Sequence, residues 1–316
     1  MARRFDTLYD KGGMGVLFID STSVNNDILK VSETKWIQRE MIARDTIFKR
    51  IGKSKSSNRY LLPKETVQNI SKSVDIELFK KNLRYKPSKK VSGFLIERGD
   101  IDLHSHIYAC ARLSDSDNIY RRGFKCSEKG IETLAKFCVG TLVELANNNI
   151  VHGDVHLSNW VFHSASPKLI DFALFSDLDD RWRSYQQTLP EIRTYKGDHK
   201  DSEEDPSDYG KKPCKTYETF VVNNSLEKKV KLFEIKSPED LKTVIKTLDI
   251  TYFCIYLYNT LLNITTNRYS LSLFGISLSY GSQRHTGYSR LLKKLEKIIV
   301  APSNIRLKVA QTFSES

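Results

Sequence analysis

Apolar positions change their period several times along this chain, and each change predicts an element. Ile28-Leu29-Lys30-Val31 is a short apolar run interrupted by one lysine, the pattern of a buried strand. From Glu33 to Phe48 the residues Ile37, Met41 and Phe48 share one face at helical spacing, with Glu40 among them. A further helix is predicted from Val67 to Phe79, and Gly93-Phe94-Leu95-Ile96-Glu97 reads as another strand. The amphipathic run from Ile131 to Asn149 carries Leu134, Phe137, Cys138, Leu142 and Leu145 and predicts a long helix. Trp160-Val161-Phe162 and Leu169-Ile170 predict two short buried strands that fix the loop between them. Late in the chain, Asp249 opens an apolar run from Ile250 to Ile264 that reads as a buried helix. A strand pair within Leu226 to Ile235 and a short helix from Pro238 to Thr247 are predicted before it.

Composition permits two packed cores. The chain has 316 residues, 40% of them hydrophobic, with 15 Tyr and 15 Phe. The run from Ile250 is shorter than the roughly 20 residues a membrane span needs, and Thr251 and Asn259 interrupt it. No charged-then-apolar leader opens the chain, so the expected location is intracellular: cytoplasm, with the nucleus as a second compartment. Cys110, Cys126, Cys138, Cys214 and Cys254 are scattered without metal-ligand spacing, and two lie in apolar helix patterns as reduced core thiols do. Net charge is +12, in clusters such as Lys80-Lys81, Lys89-Lys90 and Arg121-Arg122. Dispersed basic residues are mostly solvated surface, yet their summed field favours acidic partners or nucleic acid through salt-sensitive contacts. The acidic stretch from Gly197 to Asp208 lacks apolar residues and predicts a mobile insert, within an extended segment of about 192–245.

The chemistry is concentrated in Ile150-Val151-His152-Gly153-Asp154-Val155-His156-Leu157-Ser158-Asn159 and Lys168-Leu169-Ile170-Asp171-Phe172-Ala173. The pattern H-x-D-x-x-x-x-N followed by D-F-x resembles the catalytic loop and metal-binding turn of the protein-kinase superfamily. That resemblance implies an α+β, bilobal fold, with a β-rich N-lobe over residues 1–97 and a mainly helical C-lobe over 98–316. It implies ATP and Mg²⁺ as cofactors and transfer of the γ-phosphoryl group to Ser or Thr hydroxyls of protein substrates. Asp154 would accept the acceptor proton, while Asn159 and Asp171 would offer hard oxygen ligands to Mg²⁺.

Other landmarks of that family follow in order. Asp10-Lys11-Gly12-Gly13-Met14-Gly15-Val16 resembles the glycine-rich loop over the ATP phosphates, so Gly12, Gly13 and Gly15 are nucleotide-binding candidates. Lys30 resembles the strand lysine that contacts the phosphates, and Glu40 its ion-pair partner. Ile96 would sit beside the adenine, and backbone from Glu97 to Gly99 would hydrogen-bond it. Asp249 resembles the helix aspartate that ties down the catalytic-loop backbone. Thr188-Leu189-Pro190-Glu191 matches either of two stretches at the end of the activation segment. In one register Glu191 pairs with an arginine such as Arg306; in the other, Thr188 bonds Asp154.

Departures from the pattern narrow the reading. Gly153 stands where many kinases carry an arginine that reads an activation-loop phosphate, so this chain should not need that phosphate. His156 replaces a lysine that touches the γ-phosphate and can still donate a hydrogen bond. Ala173 replaces a glycine and stiffens the turn, and Asp10 adds negative charge near the phosphates. His-Gly-Asp with Ser before Asn resembles the vaccinia-related kinases, of a divergent sort that viruses and pathogens encode. Asp-x-His resembles haspin-type kinases and the aminoglycoside and choline group. A small-molecule kinase and a nucleotide-binding pseudokinase scaffold therefore stand beside the protein kinase as alternatives.

Overall fold

Alternation along Asp27–Glu33 (β3) sets up the small lobe. Leu29 and Val31 enter one apolar cluster, and period-two geometry sends Ile28, Lys30 and Ser32 to the opposite face. The computed structural model describes residues 5, 7–11, 15–20, 27–67, 70–74, 76–82, 90–112, 127–184, 238–266, 270–273, 276–279 and 288–316. With Thr7–Lys11 (β1), Val16–Ile19 (β2), Glu65–Val67 (β4) and Val91–Glu97 (β5), β3 forms a five-stranded antiparallel sheet of order β1-β2-β3-β5-β4. Lys30 pairs with Leu17 on one side and Phe94 on the other, so it lies mid-sheet. Phe5, Val16, Phe18, Leu29, Val31, Phe79 and Leu95 make this lobe's own core.

The helix expected from Val67 to Phe79 is not one helix. Thr66 and Val67 belong to β4, which pairs with β5 through Glu65↔Leu95 and Val67↔Gly93; Ile70–Ser73 (α3) and Ile76–Asn82 (α4) follow as short separate turns. The reason is a free edge: β5 needs a hydrogen-bonding partner there, and β-branched residues suit a pleated surface. The helix after β3 runs Thr34–Arg50 (α1). Its buried stripe is Ile37, Glu40, Ala43 and Ile47, while the expected Met41 and Phe48 are only half-buried. Lys53–Arg59 (α2) comes next, and then Leu61 donates its N–H to the Leu169 carbonyl at 3.0 Å.

The large lobe is mainly helical, so the whole is α+β and two-lobed. Leu103–Arg112 (α5) precedes Glu128–Asn147 (α6), whose Ser127 N-cap hydroxyl accepts from Gly130 N–H at 3.2 Å. Glu128 in turn accepts the N–H groups of Arg290 and Leu291, capping the first turn of the helix Ser289–Val300. The short helix expected from Pro238 and the buried helix expected from Asp249 are one continuous helix, Pro238–Thr266. The extended segment therefore ends before 238, not near 245. Pro238 is favoured in a first helical turn, and Glu239 and Asp240 suit its positive end. Leu241, Val244, Ile245 and Leu248 bury one side; from Ile250 onward nearly every side enters the core. Residues 188–191, 197–208 and 226–235 lie outside the described residues. Cys138 and Cys254 are free and buried, as expected, whereas Cys110 is disulfide-bonded. Among the described residues no helix is long and apolar enough to cross a membrane.

Candidate active site

The loop from His152 to Asn159 is held between two small strand pairs. Ile150–Val151 (β6) pairs with Ser176–Asp177 (β9), and Trp160–His163 (β7) pairs with Ser166–Leu169 (β8). Apolar residues fix these strands: Trp160 and Leu169 are fully buried, and Ile150 and Val151 nearly so. Polar groups between them are tied to backbone. Asp249 accepts the N–H of His152 at 2.6 Å and of Gly153 at 3.1 Å. The Nε2 of His152 lies 2.9 Å from the Ile170 carbonyl, and its Nδ1 accepts the Asp154 N–H at 3.2 Å. Those two bonds assign the Nε2–H tautomer. Burial keeps the His152 pKa low, against the opposing charges of Asp249 and Asp171, so the ring is neutral and serves as a structural bridge.

Asn159 donates from Nδ2 to the Asp154 carbonyl at 2.8 Å, and its own carbonyl accepts the Ile170 N–H at 2.9 Å. The loop and the Asp171 turn are thus stitched at both ends. Asp171 itself is left-handed, φ 61° and ψ 67°, a conformation an L-residue adopts at some cost. Phe172 anchors the turn: it is buried, edge-on to Tyr60 at 6.0 Å and to His152 at 4.5 Å.

Across this turn comes the lysine from β3. Lys30 Nζ is 2.7 Å from Glu40 Oε1 and 2.9 Å from Asp171 Oδ1. One cation serves two carboxylates in a site largely shut off from water. Burial works to lower the Lys30 pKa, but the charges of Asp171 and Glu40 together outweigh it and raise it. Burial also works against the Asp171 anion, and there Lys30 wins, so that carboxyl is held below its ordinary value. Glu40 is the more deeply buried acid, and burial pushes its pKa up to about 7 despite Lys30. Asp154 is raised too, first by burial and then by Asp171, with His156, Asn159 and Lys30 opposing.

The structure brings Lys30, Glu40, Asp154, Asn159 and Asp171 to one place, drawn from both lobes. His156 Nε2 lies 3.6 Å from Asp154 Oδ1, charge-pair distance but too long for a hydrogen bond, and more than a third of each side chain is exposed. Gly15 sits directly over this cluster: a Cβ there would meet the Val31 carbonyl at 3.0 Å and Lys30 Cε at 3.4 Å. Gly12 and Gly13 lie outside the described residues. Ile96 pairs with Ile28 across β3 and β5 at the lobe junction. The side chain of Glu97 is engaged by Lys64 at 3.1 Å and His163 at 3.2 Å, which fixes the exit of β5. Arg306 is buried, with Nη2 donating to the Ala301 carbonyl at 2.8 Å and no hydrogen-bond partner for Nε.

Two arginines that sequence pattern did not single out complete the frame. Arg50 donates to the Asn148 and Asn149 carbonyls and to Asp177 Oδ2 at 2.5 Å. Arg181 donates to the Leu174 carbonyl at 3.0 Å, alongside Gly153. Neither stands in a motif; both act through surfaces that exist only once the chain is folded.

For magnesium, the donor set is one carboxylate and one amide. Asp171 keeps a third of its side chain accessible, and Asn159 spends its Nδ2 on Asp154, which leaves a carbonyl-type oxygen as the remaining acceptor. These are hard oxygens of the kind Mg²⁺ takes alongside water and phosphate oxygens, so the residues fit that ion. Among the described residues no group of three or more His, Cys, Asp or Glu could hold a metal alone.

No protein-family model matches the sequence, and no curated protein does. Among solved structures the chain is similar to the crystal structure of the BubR1 kinase domain, at 11% identity and TM-score 0.47, over 98% of this chain and 80% of that one. It is also similar to the autoinhibited serine kinase domain of the giant muscle protein titin, at 15% identity and TM-score 0.34, over 54% of this chain and 46% of that one. At that identity neither likeness speaks to activity.

Proposed function

From a fold of the protein-kinase kind, we propose that the chain is an ATP-dependent protein kinase that phosphorylates Ser or Thr hydroxyls. The observation that carries the proposal is the Lys30 ammonium, 2.7 Å from Glu40 and 2.9 Å from Asp171 although 141 residues separate it from the latter. A purely structural role would not need a buried cation shared between a strand, a helix and a half-exposed turn. In this reading Lys30, fixed by Glu40, binds the α and β phosphates, and Gly15 lets the backbone close over them. Asp171 and Asn159 would hold Mg²⁺, which, when bound, neutralises charge on the phosphate oxygens. Asp154 orients the acceptor hydroxyl and takes its proton; its raised pKa makes it a better base than a free carboxylate. His156, beside Asp154, is placed to donate a hydrogen bond to the transferring group.

The test is transfer from γ-labelled ATP, with magnesium, to the protein itself and to acidic and basic protein acceptors. Asp154→Ala runs beside it. The expected result is label on Ser or Thr that falls by at least about a hundredfold in the variant, the usual scale of a lost general base. Label that appears only on small alcohols or amines would move the acceptor class to small molecules. A nucleotide-dependent thermal shift without transfer to any acceptor would leave a binding scaffold.

A further inference from the structure

Gly153 has φ +84°, and the space where its side chain would stand is filled by another residue. A Cβ there would lie closer to Arg181 Nη2 than any real contact, and 2.9 Å from the Leu174 carbonyl. Arg181 comes from the segment after the Asp171 turn and is only half-exposed. Its neighbours Asp179, Asp180 and Arg183 are exposed, and they pair with Lys242 or with one another. The guanidinium thus reaches inward, past the catalytic-loop glycine, to the carbonyl of Leu174 at 3.0 Å.

We propose that Arg181 is a positioning residue, which holds the catalytic loop and the segment following Asp171 in one arrangement by filling the slot that Gly153 leaves. The inference deepens the phosphoryl-transfer reading and rests on it for its kinetic consequence, but not for its structural one. Three observations support it. The slot is shaped on both sides, by a residue without a side chain and by a carbonyl that needs a donor. Arg181 also acts electrostatically on buried Asp249, the acceptor of the His152 and Gly153 N–H groups, so its charge reaches the loop backbone. Other ties between the two parts lie elsewhere: His152 edge-on to Phe172 at 4.5 Å, the Leu178 N–H to the Asn149 carbonyl at 3.0 Å, the β6–β9 pair, and Arg50 on Asp177. Those four are made by residues other than 153 and 174. The cation here belongs to the segment, so it is present without any modification of the chain.

Arg181→Met keeps length and removes charge and donors; Arg181→Lys keeps charge and one donor; Arg183→Met removes a charge from the same segment at an exposed position. Hydrogen exchange is read at the amides of 152–154 and 172–178, with α6 as an internal check of folding. Phosphoryl transfer is read as kcat and KM for ATP. Arg181→Met should speed exchange in both stretches by at least about tenfold, with Arg181→Lys intermediate and Arg183→Met unchanged. It should lower kcat roughly tenfold while KM for ATP stays within about threefold, since Lys30 and Glu40 are untouched. Unchanged exchange in Arg181→Met, or an equal change in Arg183→Met, would overturn the proposal. Faster exchange in a chain whose wild type transfers no phosphate would keep the positioning role and remove the kinase reading instead.

Discussion

Lys30 is one cation facing two acids, and the charge balance decides where a proton goes. With Lys30, Glu40 and Asp171 all ionised, the cluster carries a net negative charge in a site with little water, which a buried carboxyl relieves by protonation. Glu40 is the more buried acid, and its pKa is pushed up to about 7 from 4.5. The folded chain therefore keeps a proton that the unfolded chain releases between those values. Its contribution to stability is full below about 4.5 and is lost as pH rises to about 7, at a limit of about 1.36 kcal/mol per unit. Asp171 moves the other way: its lowered pKa gives stability that is present above the ordinary carboxylate value and lost only as pH falls through its own. We expect the Tm of the wild type to decline across pH 4.5 to 7. Glu40→Gln should flatten that decline, read by circular dichroism at stepped pH. A decline of equal slope in the variant would assign the titration to another group.

At the scale of elements, α1 joins the sheet to the loop from His152 to Asn159, and it does so at its two ends by different means. Its first half presents Glu40 to Lys30; its last turn is pinned by Arg50 to the Asn148 and Asn149 carbonyls and to Asp177. Because a third of the Arg50 side chain remains exposed, solvent discounts these bonds, and Arg50→Ala should cost only about 1 kcal/mol in urea unfolding. Its local effect should be larger, as faster hydrogen exchange over residues 47–50; unchanged exchange there would mean the clamp is not formed in solution. Elements were legible in the chain where apolar period and motif agreed: β3, α1, β5, α6 and β7; of the expected strand Leu169-Ile170 only Leu169 lies in β8, which begins at Ser166. They were misread where a polar residue sits in a buried stripe, as Glu40 does between Ile37 and Ala43 and shifts the perceived face toward Met41. They were misread again where an amphipathic stretch runs into an all-buried one. The helix Pro238–Thr266 changes from one-sided to all-round burial near Ile250, and that change resembles a boundary although the backbone continues through it. Arg50 and Arg181 gave no signal, since their partners are backbone carbonyls, a carboxylate 127 residues away and a vacant Cβ position.

On the scale of the molecule, the two lobes have separate apolar clusters, and α1 packs into the large one. Ala43, Ile47 and Tyr60 enter the large core with Val155, Leu157, Phe172 and Leu169, so the helix that carries Glu40 and the loop from His152 to Asn159 are referenced to one interior. Asp249 is where that interior reaches the loop backbone. It lies on the central helix, buried, and accepts two N–H groups of the loop, while the charge of Arg181 favours its anion. Burial raises its carboxyl, and those two hydrogen bonds, with the nearby His152 and Arg181, oppose the rise. Removing the acceptor leaves two buried donors unpaired, each at about 1–3 kcal/mol. Asp249→Ala should therefore lose at least about 2 kcal/mol in urea unfolding, and Asp249→Asn, which keeps one acceptor oxygen, should lose about half as much. The order of the two variants carries the argument. Equal losses would mean that charge, through Arg181, matters more than the hydrogen bonds, and a negligible loss in Asp249→Ala would mean that water can reach His152 and Gly153. In the expected order, the central helix holds the loop by satisfying its backbone, and the position of Asp154 then follows from the packing of the large core.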